Sequence, residues 1–411
     1  MDAEEGGGDG WDFLDWVGLD TSACIFRLLD DPADLVRAAT VSRSWRQFVI
    51  DNEFFKSVCL RICPEVANFT RAVEVTRSPA PPVSESSQDA DLRARERDHR
   101  IYSCLSGALV STTPPSADCI LHCIGASSTD NFPDETIENT LEPHDRVNHR
   151  PSYWSSGGAD DPDEPESLTY RLNSDLCIID EIRIHPFKAY FQIGHPIYSS
   201  KAVRVRMGHS KLAPGSESFV TDDDENLTVI ADENYVWTYT SPEFPMLQEN
   251  DLQSFKLPRP ALCIGGVVKI ELLGRVQKQA TDDRYYICVC HAEVLGRSLS
   301  PDFMVDISDP AGYSILKYLP GTRNLRAEDI MPYDAADSME WHSLVARYRQ
   351  MRHLAMMNVL LGPVQYMDED DDGTHDDALY ISSAVNVMKR SIPVVSDQLF
   401  NRKFKKENEI K

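Results

Sequence analysis

Residues 20–48 read DTSACIFRLLDDPADLVRAATVSRSWRQF, and this stretch separates the chain from a generic soluble protein. Apolar residues recur in it at helical spacing, and Pro32 interrupts the run. Two further short helices are predicted after the proline, with Phe54, Phe55 and Val58 as the last apolar positions. The segment is therefore predicted to be a small unit of three short helices.

A unit of this size has more large apolar side chains than it can bury. Domains of about forty residues are marginal, because folding removes too little of their surface from water. Some of these side chains are therefore expected to face another protein, and truncating a buried Trp45 to Ala is expected to cost about 3–5 kcal/mol. The alternative is that the helices pack on the rest of this chain, but the polar linker that follows argues for separation.

These residues resemble the F-box, the helical module by which a substrate receptor docks on the Skp-family adaptor of a cullin-RING ubiquitin ligase. The matching positions are Ile25-Phe26, Leu28-Leu29, Asp31-Pro32-Ala33-Asp34-Leu35 and Val41-Ser42-Arg43-Ser44-Trp45-Arg46. The family usually opens with Leu-Pro where this chain has Leu19-Asp20, so a weaker first contact is expected. The resemblance implies adaptor contacts from Leu19, Ile25, Phe26, Leu29, Pro32, Leu35, Val36, Val41, Trp45 and Phe48.

The composition and charge of the chain indicate which partners and which cellular compartment to expect. The formal net charge is −25, and such a surface repels phosphate backbones, so no nucleic acid is expected as a partner. No apolar run approaches the ~18 residues that span a bilayer, and the acidic start at Met1 is unlike a secretory signal. The chain is expected in the cytosol or nucleus, where its ten cysteines would be buried thiols.

The chain is predicted to be an α+β protein of several domains. From about residue 116 to 297 apolar residues alternate with polar ones, as in 202–207 and 268–272, which predicts an antiparallel β-sandwich or jelly roll. The predicted regions are an acidic flexible N-terminus (1–18), the F-box (19–64), a linker with a disordered Pro/Ser-rich part (65–100), the sandwich with a leading helix (101–297), a helical extension (298–362), and an acidic loop and tail (363–411).

The middle region resembles discoidin-type, galactose-binding-like domains. Residues 126–141, the following Tyr153-Trp154 pair and the strand 176–187 carry this resemblance. It implies a buried Trp154 and an aromatic rim loop that holds sugars, lipids or peptides. The candidate target contacts are Tyr153, Phe187, Tyr190, Phe191, His195 and Tyr198, with the alternative that Phe187 and Phe191 plug the sandwich end. Together with the F-box, this middle resembles a small set of plant F-box proteins.

The sequence contains no phosphate-binding loop, His-Glu-x-x-His pair or nucleophile elbow, and no catalytic residue, cofactor or metal site is expected. Cys288 and Cys290 share one face of a predicted strand while His291 points to the other, which favours core cysteines. The predicted function is that of a substrate receptor for an SCF-type ligase, binding the adaptor and a target protein. A glycan-binding lectin and a non-degradative scaffold are the alternatives.

Overall fold

The computed structural model of the chain describes residues 12–75, 87–111, 117–132, 134–147, 150–212, 230–307 and 314–320. These residues belong to one compact unit, Met1–Arg347. The helices are α1 (Phe13–Val17), α2 (Leu19–Phe26), α3 (Pro32–Ala39), α4 (Arg43–Asp51), α5 (Phe54–Ile62) and α6 (Ser87–Val110), with short 3₁₀ helices η1 (Pro64–Asn68), η2 (Ile137–Leu141) and η3 (Asp232–Asn234). Within the described ranges, no helix combines the length and apolar character that a membrane span requires.

The strands of the first half are β1 (Phe69–Glu74), β2 (Ala117–Asp118), β3 (Ile120–Ala126), β4 (Arg146–Val147), β5 (Arg150–Pro151), β6 (Trp154–Ser155), β7 (Glu166–Leu172), β8 (Leu176–Lys188), β9 (Ile197–Tyr198) and β10 (Ser200–Ser210). Those that follow are β11 (Tyr235–Thr240), β12 (Phe244–Pro245), β13 (Gln253–Ile264), β14 (Val267–Arg275), β15 (Gln277–Lys278), β16 (Tyr285–Tyr286), β17 (Cys288–Ser298), β18 (Phe303–Asp306) and β19 (Ser314–Tyr318).

Two antiparallel sheets form the sandwich. One has the strand order β11-β10-β14-β7-β3 with β12 paired to β10, and the other has the order β13-β8-β17-β2 with β6 and β9 on its margins. Ile270 of β14 pairs with Val205 on one side and Leu168 on the other. A third sheet, β1-β19-β18, holds a parallel pair between β1 and β19.

The main core lies between the two large sheets. Val203, Val205 and Met207 of β10 point into it, while Arg204 and Arg206 alternate to the outer face. Trp154 is also fully buried in this core, as the resemblance implied. The predicted antiparallel sandwich behind a helical N-terminus is therefore confirmed.

Local sequence explains where the N-terminal helices begin. Asp31 caps α3 by accepting a hydrogen bond from the Ala33 amide at 2.8 Å, with Pro32 at the first helical position. Ser42 caps α4 by accepting from the Trp45 amide at 3.1 Å. Residues 19–64 form four α-helices and not the predicted three, because Glu53 takes a left-handed conformation (φ 49°) that starts α5 as a separate helix.

The outer face of the β13-β8 layer packs against the helices. In β8, Cys177 and Ile179 point into the sandwich, whereas Leu176 and Ile178 join a second core with the N-terminal helices. Burial on both faces explains why this strand is a continuous apolar run. The predicted separation of the helical unit from the sandwich is wrong, and the alternative of packing within the chain holds for its inner side.

Polar contacts also join the helical unit to the sandwich. Arg259 on β13 donates two hydrogen bonds to the Glu65 carboxylate of η1, at 2.5 and 3.0 Å, and Glu65 is buried. Arg297 on β17 donates to the Leu109 carbonyl at the end of α6 at 2.9 Å. The helices and the sandwich are thus parts of one folded body.

The predicted flexible N-terminus and linker are both too long. The 1–18 region includes α1, which forms because Asp12 caps it and Leu14 is buried. The 65–100 region includes η1 and β1, and the helix predicted to start near residue 101 begins at Ser87. Its Ile101 and Leu105 are buried in the second core, and this packing holds the more polar turns that precede them in the same helix.

The start of the predicted helical extension, 298–362, is also wrong. Residues 303–306 and 314–318 are strands, because both pair into the sheet with β1 and bury Phe303 and Leu316. The predicted apolar stripe of Trp341, Leu344, Tyr348, Met351, Ala355 and Val359, the acidic loop and tail 363–411, and the Pro-rich segment 76–86 lie outside the described residues.

Candidate functional site

The inward half of the N-terminal motif builds the second core. Phe26 lies at its centre, with ring centroids 5.3 Å from Phe48 and 5.5 Å from Phe54. Leu35 is fully buried, and Pro32 is buried beside it at the start of α3. The prediction of adaptor contacts from Phe26, Pro32, Leu35 and Phe48 is therefore wrong for this fold, because their side chains already pack within the chain.

The outward half of the motif remains uncovered. Leu28 is 77% exposed and Val41 is 62% exposed. The exposed large apolar residues of this unit are Trp16, Leu19, Ile25, Leu28, Val36 and Val41, and we call this set the helical docking face. Four of the predicted adaptor contacts, Leu19, Ile25, Val36 and Val41, thus stay available to a partner.

Trp45 and Leu29 lie between these two sets and are half-buried. The Trp45 indole N–H donates to the Asp12 carboxylate at 2.8 Å, and its ring centroid is 5.9 Å from that of Phe13. Arg61 of α5 donates to the Leu29 carbonyl at 2.6 Å, which ties the segment after α2 to α5. These contacts connect the helical docking face to the buried half of the motif.

A second exposed apolar feature lies at the margin of the sandwich. The turn between β8 and β9, which we call the aromatic hairpin (187–198), pairs Phe187 with Tyr198. Its tip is a tight turn in which the His195 amide donates to the Gln192 carbonyl at 3.0 Å. Gly194 and His195 both take positive φ angles, 83° and 50°, which this turn requires.

Aromatic stacking supports the hairpin from inside. The rings of Tyr153 and Phe187 stack at 3.9 Å with an interplanar angle of 11°, and the Tyr198 hydroxyl donates to the Gln192 side chain at 2.6 Å. Burial raises the pKa of Tyr153 well above its usual range, with the neighbouring Glu135 carboxylate as a further cause. Tyr153, Phe187 and Tyr198 are buried, so the predicted target contacts at these three positions are wrong and the plug alternative holds for Phe187.

The outer part of the hairpin is open to a partner. Phe191 is 54% exposed and lies edge-on to the half-buried Tyr190, with centroids 5.5 Å apart. The Arg146 guanidinium lies 3.7 Å from the Tyr190 ring centroid, a cation–π contact that adds a positive charge. His195 is exposed beside them, so Tyr190, Phe191 and His195 remain as candidate contacts.

Sequence reasoning missed three exposed side chains. Ile193 is fully exposed at the hairpin tip, and Leu28 and Trp16 are the most exposed large apolar residues of the helical docking face. The Gly-His-Pro sequence after Ile193 indicates the turn that places it at the tip. Leu28 is part of the quoted motif, and its position beyond the last turn of α2 is the signal that separates it from the buried Phe26.

The cysteines of β17 belong to the core. Cys288 and Cys290 are buried on the same face of β17, as predicted, and burial raises the pKa of the Cys290 thiol to about 12. Their neighbour His291 points elsewhere and contacts the Thr140 carbonyl at 2.9 Å. In the part of the chain that the structure describes, no three His, Cys, Asp or Glu side chains are grouped to hold a metal ion.

Comparison with protein families gives an F-box-like match over residues 20–61. This range includes four of the six residues of the helical docking face and the buried motif behind them, but it excludes Leu19 and α1. The chain is also similar to F-box protein At4g00755 of Arabidopsis thaliana, with 45% identity over 370 residues, covering 88% of this chain and 97% of that protein. The relative therefore matches the helical unit and the sandwich together.

Among solved structures, the chain is similar to a family 32 carbohydrate-binding module of a Clostridium perfringens family 31 glycoside hydrolase, with 11% identity and a TM-score of 0.28 over 43% of this chain and 90% of that one. The corresponding module of Streptococcus pneumoniae EndoD has 12% identity and a TM-score of 0.27, over 44% and 95% of the two chains. Because these identities and TM-scores are low, the two modules carry no argument about a ligand of this chain. The sandwich architecture described above is established from the strand pairing.

Proposed function

The chain belongs to the F-box protein family, and from this premise we propose that it is the substrate-recognition subunit of an SCF-type cullin-RING ubiquitin ligase. Membership implies that the helical unit binds a Skp-family adaptor. The observation that carries the proposal is the division of the motif, in which one half completes a core and Leu28, Val36 and Val41 stay exposed. Leaving these side chains in water is unfavourable, and covering them with a partner recovers about 25 cal/mol for each Å² buried.

The proposed contribution of this chain is proximity. Binding the adaptor with one surface and a target with another raises the local concentration of target lysines near the activated ubiquitin thioester. The transfer itself belongs to other subunits and a conjugating enzyme, so this chain needs no nucleophile. The second core and the Glu65–Arg259 ion pair support this role, because they fix the orientation of the sandwich relative to the helical docking face.

The aromatic hairpin is the proposed target-binding surface. Phe191 and Ile193 offer apolar area on a turn that is held by its own hydrogen bonds, so little conformational entropy is lost on binding. The adjacent Arg146 and His195 add polar contacts that can set specificity. The proposed partner is a protein surface in the cytosol or nucleus.

Proximity labelling in cells tests both surfaces together. The full chain is compared with a Val36→Asp/Val41→Asp variant, a Phe191→Ser/Ile193→Ser variant and a Leu247→Ser control, which alters an exposed residue of the sandwich. A true target is labelled by the wild type under proteasome inhibition, accumulates with the Val36/Val41 variant without inhibition, and is lost with the hairpin variant. Targets whose levels never respond to proteasome inhibition would instead support a non-degradative scaffold.

Glycan binding is a second candidate for the sandwich. The exposed Phe191 ring beside the Arg146–Tyr190 contact is a surface on which a sugar ring can stack. A glycan array with the wild type and the Phe191→Ser/Ile193→Ser variant tests this directly. Glycan signals that vanish in the variant would favour the lectin alternative, and an empty array would favour a protein target.

A further inference from the structure

Helix α1 precedes the family match at residues 20–61 and is nevertheless an integral part of the helical unit. Leu14 is buried in the second core, and the Asp12 carboxylate accepts hydrogen bonds from both the Leu14 amide and the Trp45 indole. Phe13 packs on Trp45 as well. These contacts fix the position of α1 and cover one side of Trp45.

The outer side of α1 presents a tryptophan to water. Trp16 lies two residues from the buried Leu14, about 200° round the helix, and is 74% exposed. Tryptophan is the residue type most enriched among the side chains that dominate protein interfaces. Because the three contacts given above anchor α1, the exposed Trp16 indole is held where a partner can bind it.

Leu19, the first residue of α2, indicates where that partner lies. By helical spacing Leu19 falls on the same face as Ala23 and Phe26, both of which are buried, yet Leu19 itself is exposed. The core of the chain therefore ends one turn short of it. Trp16 and Leu19 are joined through Gly18, with their Cα atoms at most about 11 Å apart, so one surface can cover both.

We propose that Trp16 is an additional contact of the Skp-family adaptor, an inference that rests on the proposed function of the helical docking face. The occupant follows from continuity, because Leu19 directly precedes the matched residues 20–61 on α2, and α1 extends the helical docking face beyond that match. In place of the usual Leu-Pro opening this chain has Leu19-Asp20, and Trp16 supplies apolar area at that end. A second copy of the chain is disfavoured as the occupant, because a net charge of −25 makes like chains repel.

Isothermal titration of the purified Skp-family adaptor into the full chain tests this contact. We expect Trp16→Ala to raise Kd about 30-fold, Trp16→Phe to raise it by a smaller factor, and the control Leu247→Ala to leave it within about twofold. The melting temperature of Trp16→Ala should match the wild type, since the side chain is mostly outside the core. A fall in melting temperature together with the loss of affinity would assign Trp16 a structural role and overturn the inference.

A second variant separates this inference from the proposed function. If Val36→Asp/Val41→Asp abolishes binding and Trp16→Ala binds with the wild-type Kd, Trp16 is not an adaptor contact. The proposal that the helical docking face binds the adaptor is then still supported. If the wild-type chain does not bind the adaptor, both are wrong.

Discussion

The helical docking face and the aromatic hairpin both leave large apolar side chains exposed, but they are built differently. The docking face draws its exposed residues from several short helices around a core that the buried half of the motif shares with α6 and the sandwich. The hairpin offers Phe191 and Ile193 from a single turn supported by stacked rings. Exposed residues that several packed helices contribute suit one constant partner, whereas a single turn can change in sequence without disturbing the fold.

In both regions, the residues that stabilise the fold differ from the residues that are exposed for binding. Side chains of the motif that look equivalent in sequence divide into buried residues that hold the helices together and exposed residues that remain for binding. In the hairpin the same division occurs within a few residues, because Phe187 is buried and Phe191 is exposed. Each surface can therefore be altered without unfolding the chain, provided that only its outer residues are changed.

The largest expected effect comes from the buried half of the motif. Phe26→Ala should lower the free energy of unfolding by about 3–5 kcal/mol, because it leaves a cavity between Phe48 and Phe54. Urea denaturation followed by circular dichroism measures the change. A loss below about 1 kcal/mol would mean that the helical unit has no well-packed core, and the comparison between buried and exposed halves would fail.

The junction between the two regions should give the next largest effect. Glu65→Ala is expected to lower the free energy of unfolding by about 2–3 kcal/mol, because it leaves the partly buried Arg259 without its carboxylate partner. The helices and sandwich of the wild type should also unfold in a single transition. A double-mutant cycle with Arg259→Ala gives the pair's coupling energy, and a value near zero would show that the ion pair does not stabilise the junction. Two separate unfolding transitions would contradict a shared folded body.

A smaller effect is expected from pH at the interface of α5 and α6. Burial, with Arg46 and Arg100 as further causes, lowers the pKa of His99 from 6.5 to about 4, and its ring packs edge-on to Phe55 at 5.2 Å. Below pH 6.5 the unfolded chain binds a proton that the folded chain does not, so stability falls as pH drops from 6.5 toward 4 and levels off below that. The contribution is about 1–2 kcal/mol, allowing for the exposed part of the ring.

The variant His99→Gln isolates this contribution. Its free energy of unfolding should vary less than the wild type's between pH 6.5 and pH 4, as measured by urea denaturation at a series of pH values. Equal slopes for the two proteins would assign the pH dependence to other groups.

The smallest effect on stability is expected at the hairpin tip. Phe191→Ser/Ile193→Ser should change the free energy of unfolding by no more than about 0.5 kcal/mol, because both side chains lie largely in water. By contrast, Phe187→Ser should destabilise the chain by about 3 kcal/mol, since it removes a buried ring stacked on Tyr153. Thermal unfolding of the two variants compares them, and equal losses would show that the tip is part of the core.

Much of the architecture could be predicted from the sequence, because periodicity reports which elements form. The alternation in β10 and the helical spacing interrupted by Pro32 predict the strand and the helices that the structure has. What periodicity cannot report is the partner of an apolar face. The buried face of the helices was therefore assigned to a foreign subunit, although Leu176 and Ile178 of the sandwich share its core.

The motif predicts a docking module, and periodicity alone does not divide its apolar residues into buried and exposed ones. Only the packing of Phe26 and Leu35 distinguishes them from Val36 and Val41. β1 was missed because its partner β19 lies more than 200 residues away, and a pairing of that kind leaves no local signal.

We propose that the exposed half of the motif binds the adaptor while the buried half holds the helices together. Titration of the adaptor into Val41→Asp, with the melting temperature of the same sample, tests it most directly. We expect a Kd at least about 100-fold above that of the wild type, because a carboxylate would be buried at the interface without a partner, and an unchanged melting temperature. Wild-type affinity in a folded Val41→Asp protein would contradict it.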